Sequence, residues 1–168
     1  PEANGKVGVI GSSYLGFTTL MAEINPHPAL KAAVPQSPMV DGWMGDDWFH
    51  NGAFRVSGFD YALEQSTGKG DAGAAIPHGP GDDYSRYLAA GSAGAYAERY
   101  AVGAVPFVRK LMENPAYTDF WRLQAVDKLM AGRPLTVPTM LEVGQWDQED
   151  SYGAPAVYRS EEHTSELQ

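Results

Sequence analysis

Residues with chemically useful side chains fall in three places along the chain. A short apolar run leads into the glycine and serine turn of VGVIGSSYLGF, residues 7–17. Acidic side chains follow a second apolar run in GQWDQED, residues 144–150, and another acidic pair lies in GDDW, residues 45–48. A serine on a tight turn can act as a nucleophile when a histidine and a carboxylate activate it. Covalent serine chemistry is therefore one interpretation of these residues, and the glycine turn permits two others.

The glycine turn differs by one residue from the dinucleotide-binding pattern G-x-G-x-x-G. In that pattern the second glycine lets the backbone approach a pyrophosphate, whereas Ser13 brings a side chain to this position. The pattern also requires an acidic residue about 20 positions later, at the end of the next strand, to bind the ribose. That strand ends in VPQSP, residues 34–38, which contains no acid. The residues therefore disfavour a dinucleotide-binding loop.

The remaining interpretations are a nucleophile elbow and a capped helix. An elbow of the form G-x-S-x-G exposes a serine hydroxyl on a sharp turn between a strand and a helix. Gly11 fits the first glycine of that form, but Leu15 occupies the second glycine position and Gly16 follows it. Alternatively, Ser12 or Ser13 could cap the helix as a hydrogen-bond acceptor. The local pattern leaves both possibilities open.

A serine nucleophile needs a base, and the chain has four histidines. Only His163 follows the acidic loop. His27, His50 and His78 precede it; His27 fits a surface loop, and His50 fits a structural hydrogen bond near the acidic pair. With no cysteine, the chain can form no thiolate zinc site, and its histidine and carboxylate spacings match no known metal site. We therefore expect no metal and no cofactor.

The elements around the glycine turn form a βαβ pattern. Apolar residues predict a buried strand at 6–10, a helix at 15–24, and a second buried strand at 30–34 that ends at Pro35. This order and spacing predict an α/β fold with a parallel sheet. A further buried strand is predicted at 135–143, immediately before the acidic loop.

Between the predicted strands at 30–34 and 135–143 the chain is rich in aromatic residues and glycine, and it shows no further βαβ pattern. Helices are predicted at 61–65, 107–113 and 120–130, of which the last has the clearest apolar face. Residues 68–83 predict a loop. We interpret this middle region as a helical insertion.

Composition narrows the function classes. The 168 residues carry a formal net charge of −9, which disfavours nucleic acid binding because phosphates attract clustered Lys and Arg. No apolar run approaches the roughly 20 residues that span a bilayer, and we expect no membrane partner.

No signal peptide pattern is visible at the start, which lacks Met and leads directly into a strand, as expected of a piece cut from a longer reading frame. Residues 159–168, RSEEHTSELQ, resemble a translated sequencing adapter, and we expect them to be a non-native tail.

Four motifs together resemble one family. GSSYLG, residues 11–16, is similar to the G-x-S-Y-x-G elbow of the X-prolyl dipeptidyl-peptidase and cocaine-esterase-like branch of the α/β-hydrolases. Residues 37–54, 114–129 and 137–153 resemble the α-amino acid ester hydrolases of that branch. The resemblance covers residues 5–158 and implies a partial α/β-hydrolase sheet with an inserted helical cap.

The resemblance implies a division of the chain and a set of catalytic roles. Its core parts would be residues 1–37 and 134–158, separated by a cap at 38–133, with the tail at 159–168. Ser13 would be the nucleophile, the backbone N–H of Tyr14 would belong to the oxyanion hole, and Asp147 would be the catalytic acid. The histidine and a second oxyanion tyrosine are then expected outside this chain, so the chain alone would be inactive.

The resemblance also implies a substrate class. Asp47, favoured over Asp46, would join Glu149 and Asp150 in binding the free α-ammonium of an α-amino ester, an α-amino amide or a β-lactam antibiotic. It further suggests a homo-oligomer and a periplasmic or secreted location, although no residue in the chain determines the compartment. A related X-prolyl dipeptidyl-peptidase, acylase or esterase remains an alternative. A catalytically dead fragment or a non-enzymatic binding module is the other alternative.

Overall fold

The computed structural model describes residues 4–45, 47–67, 76 and 79–165. Two compact units divide the chain: Pro1–Asn51 with Tyr117–Gln168, and Gly52–Ala116. In chain order the elements are β1 (Val7–Ser12), α1 (Tyr14–Ile24), β2 (Leu30–Gln36), β3 (Phe49–His50), β4 (Ala53–Phe54), α2 (Gly58–Thr67), α3 (Asp83–Ala90), α4 (Ala93–Arg99), a 3-10 turn (Val102–Ala104), α5 (Pro106–Glu113), α6 (Asp119–Arg122), α7 (Val126–Met130) and α8 (Gly153–Ser165).

The first unit contains the predicted parallel βαβ arrangement. Strands β1 and β2 pair in parallel, with Gly8 opposite Ala32 and Ser12 opposite Gln36. Helix α1 connects them and packs against both strands. The prediction of a parallel α/β sheet is therefore confirmed.

A third segment pairs with the free edge of β2. Two parallel bridges join Ala33 to Thr139 and Gln36 to Glu142. Residues 135–143, predicted as a regular strand, thus form only a short, interrupted ladder. Pro138 contributes its carbonyl, which accepts the Ala33 N–H at 3.1 Å, but proline has no N–H to donate.

The strand predictions were wrong in two details. Strand β2 does not end at Pro35 but continues to Gln36, and the Pro35 carbonyl accepts the Glu142 N–H at 3.2 Å. Pro35 therefore still takes part in the pairing through its carbonyl, and it lacks only the N–H donor. Strand β1 is not buried: Val7 and Ile10 are 55% and 66% exposed. Among the described residues, β1 is paired along only one edge.

The predicted helix at 120–130 is two short helices, α6 and α7. The break follows from a tertiary contact, because the Val126 N–H donates to the Val40 carbonyl at 2.9 Å instead of continuing the helix. As a result Leu123 is 74% exposed, whereas Asp127 is buried. The apolar spacing that suggested one helix was therefore misleading.

The core of the first unit lies where α1, α7 and α8 meet. The cluster of buried apolar side chains there comprises Leu20, Val40, Val126, Met130 and Val157. Each such side chain contributes roughly 1.5–3 kcal/mol when it is removed from water. Helix α8 was not predicted, and it continues through Ser165 into the residues interpreted as a tail.

The second unit is helical. It lies inside the predicted insertion of residues 38–133, while both flanks of that insertion belong to the first unit. Helices α2 and α5 include the helices predicted at 61–65 and 107–113, but α3 and α4 were not predicted. Both unpredicted helices are capped at the N-terminus, where Asp82 accepts the Ser85 N–H and Ser92 accepts the Ala95 N–H. Most of the loop predicted at 68–83 lies outside the described residues.

Aromatic rings fill the centre of the second unit. Tyr96 is fully buried, and its ring contacts those of Phe59, Tyr87 and Tyr100 at centroid distances of 6.1, 5.3 and 4.7 Å. Burial raises the pKa of Tyr96 to about 12. Across the described part of the chain, every helix is too short or too polar to traverse a bilayer.

Candidate active site

Ser13 occupies a strained turn between β1 and α1. Its backbone angles are φ 58° and ψ −121°, which residues other than glycine rarely adopt. The Ser13 N–H donates to the Gln36 carbonyl at 2.9 Å, and its own carbonyl accepts the Phe17 N–H at 3.0 Å. The Ser13 side chain makes no capping hydrogen bond to the helix. The geometry is that of an elbow, and the capping interpretation of Ser13 does not hold.

The two glycines of the motif are required by packing. A Cβ on Gly11 would overlap the carbonyl oxygen of Leu15. A Cβ on Gly16 would lie 2.8 Å from the Gln36 carbonyl oxygen and 2.9 Å from the Pro38 Cα. Gly16 therefore lets α1 approach the end of β2. This close approach explains why the second glycine stands three residues after the serine.

The N-terminus of α1 presents backbone donors beside Ser13. Tyr14 is the first residue of the helix, and its N–H has no carbonyl acceptor within the helix. Its side chain is 54% exposed. The partial positive charge of a helix N-terminus favours an anion at this position.

The acidic loop leaves the same edge of the sheet. Strand β1 ends at Ser12, β2 ends at Gln36, and the third segment reaches its last bridge at Glu142, opposite Gln36. The three segments run in parallel, so the turn at Ser13 and the loop at 144–150 both follow carboxyl ends. Ligand sites of open α/β sheets lie at this edge.

Asp147 shapes the acidic loop. Its N–H donates to the Gly144 carbonyl at 3.0 Å, and its Oδ1 accepts the N–H groups of Glu149 and Asp150 at 2.9 and 3.0 Å. Asp150 is buried, and Glu149 is partly buried. The three acids that the sequence singled out in this loop are therefore held in one tight turn.

Asp47 is buried in a segment that Asp41 organises. Asp41 Oδ1 accepts the N–H groups of Trp43 and Met44 at 3.0 and 3.2 Å, and its Oδ2 accepts the Tyr117 hydroxyl at 2.6 Å. Burial and this bond to Asp41 raise the pKa of Tyr117. Asp47 itself is 6% exposed. Asp46, the other candidate in GDDW, lies outside the described residues.

A close contact joins the Asp47 segment to the end of the acidic loop. A Cβ on Gly45 would lie 2.7 Å from the Cβ of Tyr152, which follows Asp150 by two residues. Burial, together with the nearby carboxylates of Asp127 and Asp41, raises the pKa of Tyr152 to about 12. The structure thus brings the Asp47 segment next to the loop that carries Glu149 and Asp150.

Sequence reasoning missed the residues that support this arrangement. Asp41, Asp127, Tyr117 and Tyr152 form the surrounding polar framework, and they are far apart along the chain. Asp127 is buried and accepts from the Lys128 ammonium at 2.6 Å. No spacing in the sequence links these side chains, so only the fold reveals them.

The histidines are dispersed. The Nδ1 of His27 accepts the Ala29 N–H at 3.1 Å, which is a local turn contact on the surface. His50 ends β3, His163 lies in α8, and His78 lies outside the described residues. Within the described part of the chain no group of histidines and carboxylates has the arrangement of a metal site.

Comparison with known proteins places this fold and turn in one family. The model of the X-Pro dipeptidyl-peptidase (S15) family matches residues 1–167. The chain therefore belongs to the X-Pro dipeptidyl-peptidase (S15) family, and its fold is part of an α/β-hydrolase.

Two solved structures resemble the chain closely. An α-amino acid ester hydrolase labelled with selenomethionine is 55% identical over 98% of the chain, with a TM-score of 0.92. An aminopeptidase from the marine sediment archaeon Thaumarchaeota archaeon is 48% identical over 99% of the chain, with a TM-score of 0.91. The chain spans 27% of the length of each of these proteins. No curated protein matches the chain.

Proposed function

We propose that the protein containing this chain is a serine hydrolase that cleaves esters and amides of α-amino acids through an acyl-enzyme. The observation that carries the proposal is the strained, uncapped Ser13 between β1 and α1. Strain of this kind costs about 1–3 kcal/mol and persists where a site requires it. The 55% identity to an α-amino acid ester hydrolase supports the choice of substrate.

In the proposed mechanism Ser13 Oγ attacks the substrate carbonyl. A histidine takes the hydroxyl proton and later returns it to the leaving group, while Asp147 holds that histidine in the required tautomer. The N–H of Tyr14 stabilises the oxyanion, because a first-turn N–H has no carbonyl acceptor within its own helix. Water, or the amine of a β-lactam nucleus, then accepts the acyl group.

Asp47, Glu149 and Asp150 would bind the α-ammonium of the substrate. Asp47 and Asp150 are buried, and carboxylates in a low-dielectric site attract a cation far more strongly than carboxylates in water do. A substrate with an acylated, neutral amine would leave these charges uncompensated. Selectivity for a free amine is thus the signature of this site.

The 168 residues alone are expected to be inactive as a hydrolase. After Asp147 the only histidine is His163, inside the segment that resembles an adapter translation. A serine without a base is a weak nucleophile. We therefore place the histidine and a second oxyanion donor in flanking sequence, and the domain division into a core with a cap at 38–133 is part of the same proposal. The protein is expected to form a homo-oligomer and to bind neither nucleic acid nor membrane.

A serine pair in the turn provides a direct test. The protein is expressed with whatever flanking sequence its gene encodes, and hydrolysis of phenylglycine methyl ester is measured. Ser13→Ala should lower kcat/KM by at least about 1,000-fold, because it removes the nucleophile. The matched control Ser12→Ala, which changes the exposed neighbouring serine, should retain activity within about 3-fold. Equal activity of the two variants would refute the nucleophile assignment.

A second candidate function is removal of residues from peptide N-termini. The family is named for X-Pro dipeptidyl-peptidases, and one similar structure is an aminopeptidase. Such enzymes also act on substrates with a free amine, so the same carboxylates would serve. Comparison of phenylglycine methyl ester with an X-Pro anilide and an amino-acid anilide separates the two functions. Exclusive cleavage of an anilide would replace the ester hydrolase proposal.

A further inference from the structure

Gln36 lies where the nucleophile turn meets the acid-bearing segment. It is the last residue of β2, and its carbonyl accepts the Ser13 N–H at 2.9 Å. Its side-chain Nε2 donates to Oε2 of Glu142, which is opposite Gln36 in the parallel ladder. One residue therefore contacts both Ser13 and the segment that leads to Asp147.

The backbone of Glu142 is hydrogen-bonded to both neighbours of Gln36. Its carbonyl accepts the Ser37 N–H at 2.7 Å, and its N–H donates to the Pro35 carbonyl at 3.2 Å. Only Val143 separates Glu142 from Gly144, whose carbonyl accepts the Asp147 N–H at 3.0 Å. A shift of Glu142 along the ladder would move the start of the acidic loop relative to the Ser13 turn.

The ladder between β2 and this segment is short, and prolines remove hydrogen bonds from its backbone pairing. Among the described residues four backbone hydrogen bonds hold it, and neither Pro35 nor Pro138 has an N–H to donate. A hydrogen bond to a carboxylate is stronger and more directional than one between neutral groups. The Gln36 side chain supplies such a bond at the edge where the site forms.

We propose that Gln36 and Glu142 are a positioning pair that sets the spacing between Ser13 and Asp147. The proposal rests on the proposed serine hydrolase function, since the pair acts through those two residues. The pair would not touch the substrate. Its effect would be on kcat, because a displacement of about 1 Å between catalytic groups can lower a rate by about 100-fold.

An exchange of the two side chains tests the pair in the protein that the gene encodes. Gln36→Glu places two carboxylates against each other and should lower kcat for phenylglycine methyl ester by about 10- to 100-fold, with KM changed less than about 3-fold. Glu142→Gln keeps an acceptor for Gln36 and should stay within about 3-fold of the wild type. The double variant Gln36→Glu/Glu142→Gln reverses donor and acceptor and should recover kcat to within about 5-fold.

Two controls separate positioning from folding and from charge. Each kcat is expressed per Ser13 that reacts with a fluorophosphonate, so unfolded protein does not count. Gln145→Glu adds the same charge in the acidic loop on an exposed residue and should leave kcat within about 3-fold. If Gln36→Glu does not fold, Gln36→Met, which removes the bond without adding charge, should lower kcat about 3- to 10-fold.

The outcomes are distinct. The positioning pair is overturned if Gln36→Glu leaves kcat per reactive Ser13 unchanged. It is also overturned if the double variant has no higher kcat than Gln36→Glu alone. Either result would leave the proposed function intact. Full activity in Ser13→Ala would overturn the proposed function and the positioning pair with it.

Discussion

Replacement of Gly16 by alanine tests whether close packing of α1 on β2 fixes the Ser13 turn. An added Cβ would lie 2.8 Å from the Gln36 carbonyl oxygen and 2.9 and 3.0 Å from the Cα and Cβ of Pro38. These atoms belong to the backbone or to a proline ring, so no flexible side chain can move aside. Overpacking of this kind costs typically about 1–3 kcal/mol, and the rigid neighbours favour the upper part of that range.

Helix propensity acts in the opposite direction. Alanine is preferred over glycine within a helix by about 1 kcal/mol. The net expectation for Gly16→Ala is therefore a loss of about 1–2 kcal/mol in the free energy of unfolding. Gly94→Ala is the matched control, since Gly94 also lies in a helix, α4, and its added Cβ would meet only Ser92 Oγ at 4.0 Å. That variant should gain up to about 1 kcal/mol.

Urea denaturation followed by circular dichroism measures both values, with the midpoint and slope fitted for each variant. Gly16→Ala should also lower kcat for phenylglycine methyl ester, because the displaced helix carries the Tyr14 N–H. If the two variants are stabilised equally, the close packing of α1 on β2 does not constrain the turn, and the explanation of the second glycine is wrong.

Three other variants test separate parts of the structure. Ser13→Gly should relieve the positive φ and raise the free energy of unfolding by up to about 2 kcal/mol in urea denaturation, whereas Ser13→Ala should not; equal stabilities would argue against strain. Burial raises the pKa of Glu23 above 4.5 despite its hydrogen bond from Thr139, so its stabilising effect is complete below that pH and is lost as the pH rises through the raised pKa. Glu23→Gln should therefore lose less stability than the wild type when urea midpoints are compared from pH 4.5 toward neutrality, and parallel curves would contradict this. Tyr117→Phe removes a donor to the buried Asp41 and should cost about 1–3 kcal/mol in thermal or urea unfolding; an unchanged stability would show that the bond does not hold the Asp47 segment.

The sequence predicted the features that depend on local pattern. The βαβ arrangement followed from apolar runs of the correct length, and the strand–turn–helix around Ser13 followed from its glycines. The position of Asp147 at the carboxyl edge of the sheet followed from a strand pattern that ends just before the acidic loop. In each case the information lies in one continuous segment of the chain.

Features that depend on distant contacts were not predictable. The helix expected at 120–130 breaks because the Val126 N–H bonds to Val40, more than eighty residues earlier in the chain. The bond between Asp41 and Tyr117 joins residues 76 positions apart, and no spacing rule relates them. Gly16 is explained only by its distance to Gln36 and Pro38. The framework around the candidate site is thus tertiary, whereas its individual candidate residues are visible in the sequence.

The central claim is that Ser13 acts on substrates whose free α-ammonium is bound by Asp47, Glu149 and Asp150. The most direct measurement compares kcat/KM for phenylglycine methyl ester and its N-acetylated form, using the protein that the gene encodes. The ester with the free amine should be preferred by at least about 100-fold, which corresponds to about 2.7 kcal/mol of transition-state binding lost by the N-acetylated ester. Equal values of kcat/KM for the two esters would contradict it.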